Sequence, residues 1–190
     1  EGARVSNALQ FQSNMHSLLG SDLIAWWGFD QEEGDRAIIR DTSGYGLSGD
    51  PSGTLDWRSD TPGTGGYSVY FNGSRFINLY QPSLLNLDPT GNFAISFWFK
   101  TSPGSTGYFV SKRESSSVGS AQFSIYVDGN GRIVFNVGGN ESSSPSSPRY
   151  DDNTWHHVVF TNYNDGGTQR YRIFANGNTI SPTGTSVTFT

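Results

Sequence analysis

The chain of 190 residues has no cysteine and few charged residues, and each scarcity excludes a class of function. Without cysteine there is no disulfide framework, no thiolate metal site and no thiol nucleophile. Only 15% of the residues are charged and the net charge is −5, which argues against nucleic-acid binding by charge. The apolar runs are far shorter than the ~20 residues needed to span a bilayer.

Glycine and aromatic residues are abundant instead. The chain has 24 glycines, and 14% of its residues are aromatic, so it is too rich in aromatic residues and too weakly charged to be disordered. Many turn-forming residues together with aromatic residues that favour strands are typical of an all-β domain. The length is that of one such domain.

The first nineteen residues follow a different pattern. Val5, Ala8, Phe11 and Met15 are spaced like one face of an amphipathic helix, and Gly20 stands where a helix commonly ends. We therefore predict a helix over 1–20 and a β domain over 21–190. A helix this short is marginal alone, so it either covers an end of the β domain or is the end of a longer helix.

From residue 22 onward the sequence predicts a series of short strands. Asn72-Gly73 predicts a two-residue hairpin between strands 67–71 and 76–79. Phe93–Lys100 carries aromatic residues at both alternating sets of positions, which predicts a strand that is covered on both sides or central in its sheet. Gly138–Asn153, rich in serine, is predicted as a mobile or ligand-binding loop. The remaining predicted strands are 23–30, 37–40, 55–57, 108–112, 122–127, 132–137, 155–161, 171–175 and 185–190. Turns are predicted at Asp128–Gly131 and Asn176-Gly177.

Strands recurring every ten to fifteen residues with no helix between them indicate an antiparallel sandwich or jelly roll. The ordered motifs LIAWWGFD, RDTSGYG, YSVYFNGSRFINL, NFAISFWFK, YFVSK, FSIYVDGNGRIVFNVG, TWHHVVFTN and YRIFANG resemble the laminin-G-like domains of the concanavalin A-like lectin/glucanase superfamily. The resemblance covers about residues 22–177. It implies a two-sheet antiparallel jelly roll that binds carbohydrate or extracellular protein, often with one structural calcium.

The helix carries a second resemblance. ARVSNALQFQSNMHSLLG is similar to the polar half of the N-terminal helix of type IV pilins. In a pilin an apolar half precedes this segment and packs in the filament, so the resemblance implies that the sequence is truncated at its start. The chain also stops soon after Gly177, where related domains continue with a strand that carries an aspartate.

The family resemblance implies calcium ligands at three positions. By motif position, Asp30 and the carbonyl of Gly73 would bind the ion, Asp41 could contribute, and the aspartate of the terminal strand is missing here. Calcium prefers 6–8 oxygen ligands, which this set does not reach. The alternative is that Asp30 and Asp41 are turn residues whose carboxylates accept bonds from nearby amides.

A sugar-binding site needs an exposed aromatic ring beside polar side chains, because the C–H face of a sugar stacks on the ring while its hydroxyls need partners. Among the aromatic residues of predicted loops and strand ends, we select Trp57, Tyr80, Tyr108 and Tyr150 as ligand-binding candidates. The alternative for each is partial packing under a loop.

No catalytic motif is present in the sequence. The string at 30–35, DQEEGD, departs from the E-x-D-x-x-E pattern of the glucanases in this superfamily and reads as a turn. His156 and His157 are neighbours on a strand and would point to opposite faces, so one metal ion cannot easily take both.

The sequence thus predicts a non-enzymatic extracellular or cell-surface protein that binds glycan or protein. In this prediction it is the soluble part of a pilin-like subunit that can assemble through its helix. The alternative is a carbohydrate-binding module of a larger secreted enzyme, and a third hypothesis is a glycoside hydrolase or lyase of the same superfamily. We predict no nucleic-acid partner and no membrane-spanning segment.

Overall fold

A computed structural model describes residues 22–30, 37–80, 83–85, 87, 91–113, 121–137 and 139–180. The described residues belong to two compact units, divided after residue 86. The predicted helix over 1–20 and the predicted strand 185–190 lie outside the described residues. Within the described ranges, no helix is long and apolar enough to cross a membrane.

In the first unit, the part of the chain that the structure describes contains four short strands. They are β1 (Asp50–Pro51), β2 (Asp56–Arg58), β3 (Ser68–Tyr70) and β4 (Ile77–Asn78), and β1 pairs with β4 and β2 with β3, both antiparallel. Ile39 adds an isolated bridge to Gly49. Ile39, Leu47 and Leu55, which lie in or next to these turns and strands, are buried apolar residues.

Three sequence predictions fail in this unit. Residues 23–30 form no strand, and 37–40 form only the Ile39 bridge. Asn72-Gly73 is a turn but not a hairpin, because the strands on its two sides pair with different partners. Strand pairing here is decided by contacts between residues distant in sequence, which a two-residue turn signal does not contain.

The described residues of the second unit form two four-stranded antiparallel sheets. In order along one sheet lie β12 (Asn178–Thr179), β11 (Thr168–Ala175), β10 (His156–Asp165) and β5 (Phe93–Phe99). In order along the other lie β6 (Gly107–Arg113), β7 (Ala121–Val127), β8 (Ile133–Val137) and β9 (Asn140–Ser143).

The two sheets share one apolar core because their strands alternate inward and outward residues. Along β10 the inward positions include Val158 and Phe160, both fully buried. Phe160 stacks on Phe135 of β8, which joins one sheet to the other. The buried cluster comprises Phe99, Phe123, Ile125, Ile133, Phe135, Val137, Tyr150, Val158, Phe160, Ile173 and Ala175. This confirms the predicted all-β antiparallel sandwich, and the architecture is consistent with a jelly roll.

The predicted turns at Asp128–Gly131 and Asn176-Gly177 are confirmed as the links between paired strands. Two other expectations in this unit are wrong. Strand β5 is not covered on both sides, since Ala94, Ser96 and Trp98 are exposed, and it is not central, since it ends the described strand order of its sheet. The segment 138–153 is not simply a loop, since it contains β9. Near the end of the segment, Tyr150 and Asp151 are buried.

Candidate functional site

An exposed aromatic ring lies on the outer face of the β6–β9 sheet. The register aligns Tyr108 of β6 with Tyr126 of β7, and Tyr126 with Val134 of β8. The two tyrosine rings are 5.1 Å apart between centroids and tilted by 51°. Tyr108 is 50% exposed, so part of its ring is accessible to a ligand while its neighbour supports it.

A carboxylate is held beside these rings. Glu141 of β9 pairs with Asn136 of β8, one step along the same face from the row that contains Tyr126. The Tyr126 hydroxyl donates to Glu141 Oε1 at 2.8 Å. Burial, together with this hydrogen bond, raises the pKa of Tyr126 to about 12. The hydroxyl therefore stays protonated and keeps the Glu141 carboxylate oriented next to the rings.

The β7–β8 turn adds an ion pair to the same face. Arg132 Nε donates to Asp128 Oδ2 at 2.7 Å, and the backbone amides of Asn130 and Arg132 donate to Asp128 Oδ1. Although burial of the carboxyl acts the other way, these hydrogen bonds hold the pKa of Asp128 below its ordinary value. The arginine side chain is 37% exposed, so the pair borders solvent.

These groups surround a shallow cavity of about 120 Å³ lined by Tyr126, Asp128, Arg132 and Glu141 among others. Together with Tyr108 they form what we call the tyrosine face. It combines one accessible ring, a carboxylate acceptor and a guanidinium donor. Such a combination of an apolar surface and a few convergent polar groups is typical of small-ligand sites.

The turn is anchored from behind by a buried carboxylate. Asp151 is 1% exposed, pairs with Arg149, and accepts the Gly104 amide at 2.7 Å. Gly131 lies against it so closely that a Cβ atom at that position would overlap the Asp151 carboxylate. The position of the Asp128–Arg132 pair thus depends on Asp151 and Arg149, which lie in the segment that follows β9.

The other predicted ligand-binding residues lie elsewhere. Trp57 lines an open cavity of about 600 Å³ in the first unit and packs against Phe29 at 6.3 Å between ring centroids. Tyr80, also in the first unit, is 67% exposed. Tyr150 is only 3% exposed and packs edge-on against His156, so it does not suit an accessible platform. Of the four, only Tyr108 lies on the tyrosine face.

The predicted calcium ligands have separate surroundings. Asp30 accepts the Tyr67 amide, and desolvation by burial raises the pKa of Asp30 despite that bond. The carboxylate of Asp41 accepts the amides of Trp26 and Leu47, and its pKa is lowered by such hydrogen bonds although burial opposes the shift.

Gly73, with φ of 85°, belongs to a turn closed by neighbouring side chains. Within the described ranges, no three His, Cys, Asp or Glu side chains are grouped to hold a metal ion. The bonds of Asp41 match the alternative in which it is a turn residue, and the ion stays a prediction of the resemblance.

The two adjacent histidines point to opposite faces of β10, as the sequence predicts. His156 is buried, and its ring nitrogens contact Asp152 Oδ1 at 2.9 Å and Asn176 Nδ2 at 3.0 Å. His157 lies on the outer face beside Trp98. Because their rings lie on opposite faces of the strand, the two histidines do not bind one metal ion together.

Sequence reasoning missed Tyr126, Glu141 and the Asp128–Arg132 pair as site residues. They come from two strands, β7 and β9, and one turn, and only the register brings them to Tyr108. One local signal was present in β7. Phe123, Ile125 and Val127 are buried at alternate positions, so Tyr126, which lies between two of them, faces the other side of the strand.

Two antiparallel sheets packed on a shared core place the chain among the all-β sandwich proteins. More specifically, the chain belongs to the concanavalin A-like lectin/glucanases superfamily, because the Laminin_G_3 family model matches residues 71–189. This membership supports a carbohydrate-binding or adhesion-type role. Searches of curated proteins and of solved structures found no match to the chain.

Proposed function

We propose that the protein is a non-enzymatic glycan-binding domain and that the tyrosine face holds the sugar. The observation that carries this is the half-exposed ring of Tyr108 beside the Glu141 carboxylate that Tyr126 orients. The superfamily membership is in accord with it.

A pyranose would lay its C–H face on the Tyr108 ring, while its hydroxyls bond to Glu141 and Arg132. Bonds in which one partner is ionised are roughly twice as strong as neutral ones, so two such groups can fix the sugar's orientation. The face carries two carboxylates, Asp128 and Glu141, against one guanidinium, and this balance favours a neutral sugar over an anionic one.

Glycoside hydrolysis on this face would need two carboxyl groups flanking the bond, one of them held protonated as the acid. Asp128 does not suit that role, because Arg132 and two backbone amides hold it ionised. Glu141 is used as the acceptor of the Tyr126 hydroxyl. These contacts support a binding role rather than a catalytic one.

A glycan array followed by calorimetry with the best ligand tests the proposal. Tyr108→Ala should weaken binding about tenfold or more, equivalent to roughly 1.4 kcal/mol. Tyr126→Phe keeps the ring but removes the hydroxyl that orients Glu141, so it should weaken binding by a smaller factor. Tyr80→Ala is the matched control, since it removes another exposed tyrosine in the first unit.

Binding that survives Tyr108→Ala but fails in Tyr80→Ala would place the site in the first unit. Binding to no sugar at all would leave a protein-binding role. Release of sugar by the wild-type protein would contradict the non-enzymatic assignment.

The biological setting is proposed from the sequence. An extracellular or cell-surface location agrees with the family, and attachment through a pilin-like helix depends on the pattern of residues 1–19 alone. The gene sequence before residue 1 tests it, since a short basic leader and about 20 apolar residues would support the pilin. A flanking catalytic domain would instead support a module of a secreted enzyme.

A further inference from the structure

The outer face of the other sheet presents a second set of aromatic and polar side chains. The register places Trp98 opposite His157 and Ser96 opposite Val159. On the other side of β10, Arg172 lies opposite Thr161. We call the outward side chains Ser96, Trp98, His157, Tyr163 and Arg172 the tryptophan face.

Trp98 lies on β5, the last strand in the described order of this sheet, and is 51% exposed although it is large and apolar. Its ring lies 4.9 Å from the His157 ring between centroids, with the planes 32° apart. His157 is itself fixed by a 2.8 Å contact between its Nε2 and the Ser96 hydroxyl. The indole is thus supported on one side and accessible on another.

The charge of this face is opposite to that of the whole chain. Strands β5, β10 and β11 contain two arginines and one aspartate. That aspartate, Asp165, binds Arg170 at 2.7 Å. The guanidinium of Arg172 lies over the Tyr163 ring at 5.3 Å from its centroid. The described surface therefore offers a cation in a protein of net charge −5.

We propose that the tryptophan face binds an acidic polysaccharide, one whose sugars carry carboxylate groups. A sugar ring would stack on Trp98 and a carboxylate would pair with Arg172. Their partners on β10, His157 and Thr161, are four residues apart, which is about 13 Å along the strand at 3.3 Å per residue. Trp98 and Arg172 are also two strands apart, about 10 Å across the sheet, so their backbones are about 16 Å apart and a ligand must span more than one sugar unit to reach both.

Charge density separates this ligand from a nucleic acid. Duplex DNA carries one negative charge per about 1.7 Å of its axis, and binding it needs many cations along one face. A carboxylated polysaccharide carries far fewer charges per unit length, which suits the low number of arginines here. The proposal does not depend on the tyrosine face, whose charge favours a neutral ligand.

Calorimetry of the full chain with polygalacturonate tests it, with the methyl-esterified polymer as a neutral ligand of the same backbone. The acidic polymer should bind, and the neutral polymer should bind at least about tenfold more weakly. Trp98→Thr and Arg172→Gln should each weaken binding of the acidic polymer several-fold. Tyr108→Ala and Arg58→Gln, an arginine of the first unit, should leave it unchanged.

Circular dichroism and the melting temperature establish that each variant is folded, and if Trp98→Thr is not, Arg172→Gln decides alone. No binding of polygalacturonate, equal binding of both polymers, or loss of binding in Tyr108→Ala would overturn the proposal. Tighter binding of single-stranded DNA than of polygalacturonate would also overturn it, in favour of a nucleic-acid surface.

Discussion

Replacing Gly131 by alanine should destabilise the protein in a way that a similar glycine does not. The residue has φ of 72°, its amide donates to the Asp128 carbonyl, and its carbonyl accepts the Tyr150 amide. A Cβ atom there would overlap Asp151 Oδ1 and lie 2.7 Å from Asp151 Cγ. The carboxylate cannot move aside freely, because it also accepts the Gly104 amide.

Two costs add up at this position. A non-glycine residue in the left-handed region costs about 1–2 kcal/mol. Displacing Asp151, which is buried, takes its carboxylate away from the Gly104 amide, and a buried acceptor left without its donor costs about 1–3 kcal/mol more. Gly131→Ala should therefore cost about 2–5 kcal/mol in the free energy of unfolding, a large part of the 5–15 kcal/mol that ordinary domains have.

Gly177 provides the matched control. Its φ is 80°, and a Cβ atom there would meet nothing within 4 Å. Gly177→Ala should cost only the conformational part, about 1–2 kcal/mol. Urea unfolding followed by circular dichroism measures both variants.

A double-mutant cycle with Asp151→Ala then isolates the overlap, because in that background the cost of Gly131→Ala should fall toward that of Gly177→Ala, with only a 3.1 Å approach to Arg149 Cβ left. Equal costs for Gly131→Ala and Gly177→Ala in the wild-type background, or an unchanged cost of Gly131→Ala when Asp151 is removed, would refute the assigned contact.

Two further predictions concern carboxylates. Burial alone would raise the pKa of Asp152, but hydrogen bonds from Thr154 and His156 lower it from 3.8 to about 2. Its contribution to stability is therefore present above about pH 4 and is lost as the pH falls toward 2. In thermal unfolding, Asp152→Asn should be less stable than the wild type at pH 7. It should also lose less stability than the wild type between pH 4 and 2, and an equal loss of stability over that range would contradict this. Asp41→Asn should lower the melting temperature equally in millimolar calcium and in chelator, because its carboxylate accepts amides of Trp26 and Leu47. A larger effect in calcium would instead identify Asp41 as a metal ligand.

Strand periodicity and glycine turns predicted much of the second unit. The alternation in 155–161 correctly placed His156 and His157 on opposite faces, and the predicted Asp128–Gly131 turn links β7 to β8. These features are local, since the side-chain period of a strand and the dihedral angles of a turn depend on few neighbours.

Pairing between distant segments was not predictable in this way. The sequence did not predict β9, which lies in a serine-rich segment, because its residues pair with β8 without being apolar themselves. Likewise, Tyr108 was selected as an isolated aromatic, while Glu141 was not considered at all. The two residues share a site only because β7 and β8 lie between their strands with a fixed register.

The two proposed surfaces lie on opposite sides of one core, and this has a consequence for how ligands would act. Packed sheets are about 10 Å apart, and the space between them here is filled by side chains such as Phe135 and Phe160. A ligand on Tyr108 and one on Trp98 therefore share no contact. Because the two sites are separated by this core and have no common partner, their binding energies should be independent. One domain could then hold a neutral glycan on one face and an acidic polysaccharide on the other.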